Sequence, residues 1–189
     1  MVISFQGGNY FKIQSGDFTV LVDPTDRRSI RGANVVLSTL KPAEIVPEGE
    51  VCFFIDNQGE YEIGELSVRG ISIPGERSPV RTSYRLELEG IRLLVLGHLV
   101  KEPPAEVQEN FHNVDVVIAP AGGKPYLAEA SIAKLLRQIE PSVIIPALFK
   151  DLKGFVKEFS EGKCDLEDKI VLKAKDLKPG AMELRCLKQ

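Results

Sequence analysis

The chain has 189 residues, of which 43% are hydrophobic and 27% are charged, and its formal net charge is −3. This length is typical of a protein with one continuous core, and we predict a single domain over residues 1–189. No apolar run approaches the roughly 18 residues that a membrane-spanning helix needs. The densest basic cluster, Arg27, Arg28 and Arg31, is too small to follow a phosphate backbone. The composition therefore argues against a membrane partner and a nucleic-acid partner.

The N-terminus and the cysteines give expectations about the compartment. The first residues, MVISFQGGNYF, lack the basic start, the long apolar stretch and the small-residue cleavage site of an export signal, so we expect a cytoplasmic protein. Cys52, Cys164 and Cys186 are widely spaced and form no CxxC pair. This spacing predicts reduced thiols rather than a disulfide framework or a zinc knuckle.

The first half of the chain predicts short strands separated by turns. VISF, YFKIQ and FTVLVD are separated by turn residues at 7–9 and 15–17, which is typical of an antiparallel meander. Further strands are predicted in NVVLST, VCFFID, LSVRGISI, TSYRLELEG and IRLLVLG. The last two are expected to form a hairpin through Glu89 and Gly90.

The second half alternates strands with helices. VDVVIAP is a fully apolar strand of the kind that is covered on both faces. In YLAEASIAKLLRQIE the apolar residues recur at i, i+4, i+7, i+8 and i+11, which predicts a helix on a sheet, with Pro125 near its start and Pro141 ending it. SVIIP then predicts a strand, LKGFVKEF a second helix, and the tail a closing pair of strands. Together these elements predict a layered α/β sandwich.

The order of these segments resembles the metallo-β-lactamase fold, within it the branch of small bacterial "Zn-dependent hydrolase" proteins similar to ascorbate-phosphate lactonase. The resemblance covers nearly the whole chain and rests on FKIQSGDFTVLVDP, QGEYEIGELSVRGI, TSYRLELEGIRLLVLGHL, VDVVIAPAGG and IEPSVIIP. It implies an α/β (α+β) fold, a four-layer αββα sandwich with two mixed β-sheets. It also implies a metal site at one edge of the two sheets.

The metal motif that the family implies is degenerate here. The family pattern THxHxDH corresponds to residues 39–45, with Leu40, Pro42 and Ile45 at the histidine positions and Glu44 at the aspartate position. Leucine, proline and isoleucine side chains have no lone pair for a metal ion. The resemblance therefore predicts the place of a metal motif without its ligands.

The remaining family ligands are missing too. The loop SIPGERSPVRTS has no histidine, Gly97 precedes His98 where the family has a Gly-Asp pair, and Leu148 stands where a histidine follows IIP. The chain contains two histidines, His98 and His112, whereas the family's two-metal site uses about five and a bridging carboxylate. We therefore assign no catalytic residue and expect no cofactor.

Three residues remain as candidates for a rebuilt metal site: Asp23, Glu44 and His98. The fold that the resemblance implies places His98 at a strand end beside Glu44, and we expect Asp23 and Glu60 near the same rim. His112, in the polar segment ENFHNVD, is interpreted as a surface or capping residue.

Other motifs are interpreted as structural. GEYEIG is expected to be a turn fixed by glycine with Tyr61 packed beneath it, and AGGKPY a tight strand-to-helix turn without the GxxxxGK[ST] spacing. IPGERSPVR is expected to be an exposed loop across the pocket mouth, or a contact surface. No G-x-S-x-G elbow is present.

These observations support three hypotheses of function. The favoured one is a pseudoenzyme that acts in binding or assembly, as a homo-oligomer or with a partner protein. The alternative is a metal-dependent hydrolase of a phosphoester or lactone, in which Glu44 and His98 hold zinc or manganese in altered coordination. The third is a module that binds a small anionic ligand, drawn in by Lys41 and Lys124.

Overall fold

The computed structural model describes residues 1–28, 30–48, 52–73, 79–159 and 164–188. The strands are β1 (Val2–Phe5), β2 (Phe11–Ser15), β3 (Phe18–Val22), β4 (Val35–Leu37), β5 (Leu40–Lys41), β6 (Phe53–Ile55), β7 (Gly59–Ile63), β8 (Leu66–Ile73), β9 (Val80–Leu88), β10 (Ile91–Val95), β11 (Val116–Pro120), β12 (Val143–Ala147), β13 (Leu166–Glu167), β14 (Ile170–Val171), β15 (Glu183–Leu184) and β16 (Cys186–Leu187). The helices are α1 (Ala105–Gln108), α2 (Glu129–Ile139) and α3 (Lys153–Phe159), with 3-10 turns at Glu109–Phe111 and Ala174–Asp176.

Two mixed sheets form the body of the protein. The first has the strand order β14-β1-β2-β3-β4-β6, and the second has the order β15-β12-β11-β10-β9-β8-β7, with β5 paired to β9. In the first sheet β3, β4 and β6 are parallel, and in the second β10, β11, β12 and β15 are parallel. The predicted fold class, a sandwich of two mixed sheets with helical layers, is confirmed.

The predicted meander and hairpin are also confirmed. Strands β1, β2 and β3 pair antiparallel in chain order. The turn between β9 and β10 consists of Glu89 and Gly90, with φ of 51° and 71°. Two left-handed residues are what the twist of a two-residue hairpin requires, and Gly90 adopts this conformation without a side-chain clash.

Alternating side chains of β11 separate two layers of core. Val116 and Ile118 pack between the sheets, whereas Val117 and Ala119 pack against the helices. The apolar stripe of α2 closes this outer layer, as its spacing predicted. The outer face of the first sheet packs against Ile30 and its loop neighbours. No helix in the described ranges is long and apolar enough to cross a membrane.

The prediction of three reduced thiols is wrong. Cys164 and Cys186 form a disulfide, with Cα atoms 5.9 Å apart and a sequence separation of 22. The cause is tertiary: Cys164 lies just before β13, which pairs with the strand that contains Cys186. Spacing along the chain does not reveal this pairing. Cys52 is free and lies just before β6, where burial raises the pKa of its thiol.

Three local predictions need correction. Helix α2 begins at Glu129 rather than near Pro125. The amide of Leu127 donates to the carbonyl of Leu99, so this residue is bonded to the loop that follows β10 and not to the helix. The tail strands do not pair with each other: β14 adds to β1, β15 to β12 and β16 to β13. Residues 59–63 form strand β7 rather than a turn. Most of the expected pocket-mouth loop, residues 74–78, lies outside the described residues.

Candidate functional site

A pocket lies at the edge where the carboxyl ends of several strands meet. Asp23 follows β3, Thr39 follows β4, His98 lies just beyond β10, and Leu148 follows β12. Because β3 is parallel to β4, and β10 to β12 through β11, each set of loops emerges at one edge of its sheet. The amide of Leu148 donates to the carbonyl of Gly8 at 2.8 Å and so joins the turn between β1 and β2 to this edge.

The pocket has a volume of about 150 Å³ and contains the three sequence candidates, Asp23, Glu44 and His98. The same space is lined by apolar Leu40, Ile45 and Leu148, three of the residues that the resemblance places at the family's ligand positions. Glu60 is not among its lining residues. It lies on the edge strand β7 and forms an ion pair with Arg69 at 3.7 Å.

Asp23 is the centre of a hydrogen-bond network. Its Oδ1 accepts from the amide of Thr39 at 2.7 Å. Its Oδ2 accepts from Thr39 Oγ1 and from Asn9 Nδ2, each at 2.5 Å. Thr39 Oγ1 also lies 2.8 Å from His98 Nδ1, whereas Asp23 Oδ2 is 3.7 Å from that nitrogen. Thr39 therefore connects Asp23 to His98.

Gly97 makes this network sterically feasible. Its φ is +63°, and a Cβ at this position would lie 2.7 Å from Thr39 Cβ, well inside ordinary contact. Asp23 and Leu148 also adopt left-handed backbone, with φ of 44° and 55°. Left-handed backbone costs about 1–3 kcal/mol for a residue other than glycine and often occurs at functional sites. The pocket thus concentrates strained backbone.

The surroundings of His98 lower its pKa and so favour the neutral imidazole. Burial lowers the pKa of His98, the charge of Arg81 lowers it further, and the Asp23 carboxylate opposes both. The side chain of His98 is 17% exposed, and its ring centroid lies 5.8 Å from that of Tyr126. Burial, and secondarily the charge of Asp23, raise the pKa of Tyr126. The environment of the site therefore favours the uncharged form of both His98 and Tyr126.

The residues present do not fit the metal centre that the fold family implies. Both oxygens of Asp23 already accept hydrogen bonds, and Nδ1 of His98 is engaged by Thr39. Glu44 is exposed, and the side chains of Leu40, Ile45 and Leu148 offer a metal ion no lone pair. Within the described part of the chain, no three His, Cys, Asp or Glu residues cluster in a way that could hold a metal ion. A zinc site in proteins needs three or four such ligands.

A second cavity adjoins the pocket across Gly8 and Leu148, which line both. It has a volume of about 540 Å³, and Lys124 and Lys150 line it together with Tyr126. Lys41 lines neither cavity and instead forms an ion pair with Asp56 at 3.2 Å. Of the two lysines proposed from the sequence, only Lys124 lies beside the site.

Sequence reasoning missed the roles of Asn9, Thr39 and Tyr126. Thr39 opens the degenerate motif segment, so its position was a usable signal. Asn9 lies in a turn, and Tyr126 in AGGKPY, where nothing in the local pattern indicates contact with a histidine. The exposed His112 ends a 3-10 turn, as its interpretation as a surface or capping residue predicted.

Comparison with known proteins decides the family. The model described as "Beta-lactamase superfamily domain" matches residues 2–147. The chain belongs to this superfamily. A proposed Zn-dependent hydrolase of the metallo-beta-lactamase superfamily from Thermotoga maritima is similar in structure, with a TM-score of 0.79, 18% identity, and coverage of 98% of this chain and 97% of that one. The resemblance to the metallo-β-lactamase fold that was stated from the sequence is thus confirmed.

Other solved structures are similar in fold. A proposed metal-dependent hydrolase from Parabacteroides distasonis has a TM-score of 0.71 at 13% identity, covering 97% of this chain and 91% of its own. A metallo hydrolase from Ignicoccus hospitalis has a TM-score of 0.65 at 12% identity, with coverage of 98% and 94%. No curated protein matches the chain. At these identities the structural likeness establishes the fold alone.

Proposed function

We propose that this superfamily member is a pseudoenzyme, a binding or assembly protein that keeps the fold and not the hydrolytic centre. The observation that carries the proposal is which residues stand at the positions of the family's metal ligands. Leu40, Ile45 and Leu148 line the pocket. Both oxygens of the Asp23 carboxylate accept hydrogen bonds from Thr39 and Asn9. A metal ion in this fold would supply an activated water, and these residues offer it too few ligands.

Assembly through a sheet edge is part of this proposal. Strand β6 ends the first sheet on one side and β14 ends it on the other. Phe53 on β6 is 49% exposed and Val171 on β14 is 53% exposed. An exposed apolar side chain on an edge strand favours pairing with another chain, either a second copy or a relative.

The hydrolase alternative has one supporting observation. Asp23, Glu44 and His98 line one pocket, so Glu44 and His98 are the pair that would hold zinc or manganese beside a phosphoester or lactone. The exposure of Glu44 and the hydrogen bonds on Asp23 weigh against it.

The anionic-ligand proposal now concerns the adjoining cavity, where Lys124 and Lys150 lie. A thermal-shift panel of sugar phosphates and nucleotides tests it, because binding to the native state alone raises the melting temperature.

Elemental analysis of untagged protein, before and after dialysis against zinc and manganese, separates pseudoenzyme from hydrolase. We expect far less than one equivalent of metal in the wild type. The His98→Ala and His112→Ala variants provide a matched pair, since His112 is exposed and lies outside the pocket. About one equivalent that is lost in His98→Ala and retained in His112→Ala would overturn the pseudoenzyme proposal.

A further inference from the structure

Strand β7 is the longest strand at an end of either large sheet in the described part of the chain. It has five residues, whereas β6, β14 and β15 at the other sheet ends have three, two and two. Among the described strands, β7 pairs with β8 alone. A free edge of this kind presents amide and carbonyl groups to which another extended chain can add as a further strand.

The hairpin between β7 and β8 determines which backbone groups of β7 face outwards. A loop of two residues, 64–65, joins the paired residues Ile63 and Leu66, and its first residue is a glycine with the positive φ, +60°, that such loops need there. Hydrogen-bonded and non-bonded pairs alternate along an antiparallel ladder, and the pair that closes a two-residue loop is bonded. The amides and carbonyls of Glu60 and Glu62 therefore point away from β8.

The two faces of this edge strand differ in chemistry. Glu60 and Glu62 lie on one face, and both are exposed. The side chain of Glu60 is 79% exposed and forms only a long ion pair with Arg69, at 3.7 Å. Tyr61 and Ile63 alternate with the glutamates and pack, partly buried, against the core between the sheets. The sequence of β7 contains no lysine or arginine, so the edge is acidic on one face and apolar on the other.

Charge complementarity restricts what can pair with this edge. If two β7 strands paired antiparallel about Tyr61, Glu60 of each copy would lie directly opposite Glu62 of the other, and like charges in that position are destabilising. Basic side chains opposite the glutamates would instead be attracted. Because residues two apart share a face, a complementary strand needs basic residues at alternate positions with an apolar residue between them, beside Tyr61.

We propose that β7 is a docking edge for an extended segment of another protein in which basic residues alternate with apolar ones. The backbone of this segment bonds to the outward amides and carbonyls of Glu60 and Glu62, and its basic side chains lie opposite the two carboxylates. The intervening apolar residue packs beside Tyr61. The inference rests on the proposed function, because it names a class of partner for a protein that acts by binding.

A nuclear magnetic resonance titration of ¹⁵N-labelled wild-type protein with two peptides of equal composition tests the inference. The probe, acetyl-TKVKVT-amide, has its lysines at alternate positions. The control, acetyl-TKKVVT-amide, has them side by side and therefore on opposite faces of a strand. We expect the probe to shift the backbone amides of Glu60 and Glu62 and to bind several times more tightly than the control.

Charge reversal provides the matched variants. The Glu60→Lys, Glu62→Lys double variant should prefer the acidic peptide acetyl-TEVEVT-amide over the lysine probe by about tenfold, because opposite charges across a strand pair attract and like charges repel. The Glu106→Lys, Glu109→Lys double variant changes the net charge equally at two exposed residues outside β7. It should keep the wild-type preference for the lysine probe.

Two outcomes would overturn the inference. One is the absence of shifts at Glu60 and Glu62 with millimolar probe, and the other is equal binding of the probe and its rearranged control, which would indicate attraction by charge alone. Elemental analysis of the same sample separates this failure from failure of the proposed function. A metal-free sample that does not bind the probe contradicts only the inference, whereas a stoichiometric amount of metal that is lost in His98→Ala contradicts the pseudoenzyme proposal itself.

Discussion

At the scale of single residues, the carboxylate of Asp23 holds its neighbours in place through hydrogen bonds. Asp23 fixes Thr39 through both the amide and the hydroxyl, and Thr39 in turn orients His98. These two hydrogen bonds and the one from Asn9 occupy three of the roughly four lone-pair sites of the carboxylate, so it has less to offer a metal ion than a free carboxylate.

Gly97→Ala tests whether this network depends on close approach. Both Gly97 and Gly123 have left-handed φ, of +63° and +60°, but a Cβ at Gly97 would lie 2.7 Å from Thr39, whereas one at Gly123 meets nothing within 4 Å. Alanine at either position carries the backbone strain, and only Gly97→Ala adds the clash, for which overpacking costs about 1–3 kcal/mol.

Urea denaturation of Gly97→Ala and Gly123→Ala measures the difference. We expect the first variant to lose about 1–3 kcal/mol more free energy of unfolding than the second. Equal losses would show that the contact between Gly97 and Thr39 is not tight in solution.

At the scale of elements, the parallel half of the second sheet depends on Asp115. Its side chain accepts from the backbone amide of Arg92 at 2.8 Å and from the guanidinium at 2.9 and 3.1 Å, joining the start of β10 to the start of β11. Burial by itself raises the pKa of Asp115, but the hydrogen bonds and charge of Arg92 outweigh it, and the net pKa is lowered.

Asp115→Asn is expected to lower the free energy of unfolding at pH 7 by about 2 kcal/mol, the net value of hydrogen bonds to a charged group. Because the folded-state pKa is depressed, the stabilisation by Asp115 is present above its ordinary pKa of 3.8 and is lost as the pH falls through the folded value. Wild type should therefore lose its advantage over the variant in acid.

Denaturation curves between pH 7 and pH 3 measure this convergence. Asp168→Asn provides the control, because Asp168 pairs with Lys188 at the surface with 84% of its side chain exposed. Surface pairs contribute little, so this variant should resemble wild type at every pH. A constant difference between wild type and Asp115→Asn down to pH 3 would contradict the assignment.

At the scale of the whole molecule, a hydrogen bond and a disulfide add to the core packing that joins distant parts of the chain. Tyr84 on β9 donates to the carbonyl of Ser38 at 2.9 Å and so ties the second sheet to the first. The disulfide between Cys164 and Cys186 links the segment that follows α3 to strand β16. A cross-link over 22 residues stabilises the native state by about 3 kcal/mol, chiefly by restricting the unfolded chain.

Alkylation of the denatured, unreduced protein, followed by mass spectrometry, counts the free thiols. We expect one, on Cys52, and three after reduction. The Cys164→Ser, Cys186→Ser double variant should unfold at lower denaturant concentration, whereas Cys52→Ser should change stability less because Cys52 makes no such bond. Three free thiols before reduction would contradict the disulfide and support the three reduced thiols expected from the sequence.

The cytoplasmic localisation stays a prediction, and disulfides are uncommon in that compartment.

The sequence by itself determined the layers of this protein. The alternation in β1, β2 and β3, the apolar run of β11 and the helical stripe of α2 each record a burial pattern within a few residues, so local periodicity was enough to predict them. The residue types at 39–45 likewise led to the prediction that the family's metal ligands are missing, because the sequence alone says which side chains can bind a metal ion.

Only the tertiary structure decided how the remaining polar groups are used. Asn9, Thr39 and His98 are separated by 30 and 59 residues, and their hydrogen bonds exist because parallel strands from two sheets end at one edge. The same is true of Cys164 and Cys186, whose contact follows from the pairing of β13 with β16. Contacts between distant segments depend on how the whole chain packs. A local sequence pattern therefore does not predict which polar groups find a hydrogen-bond partner.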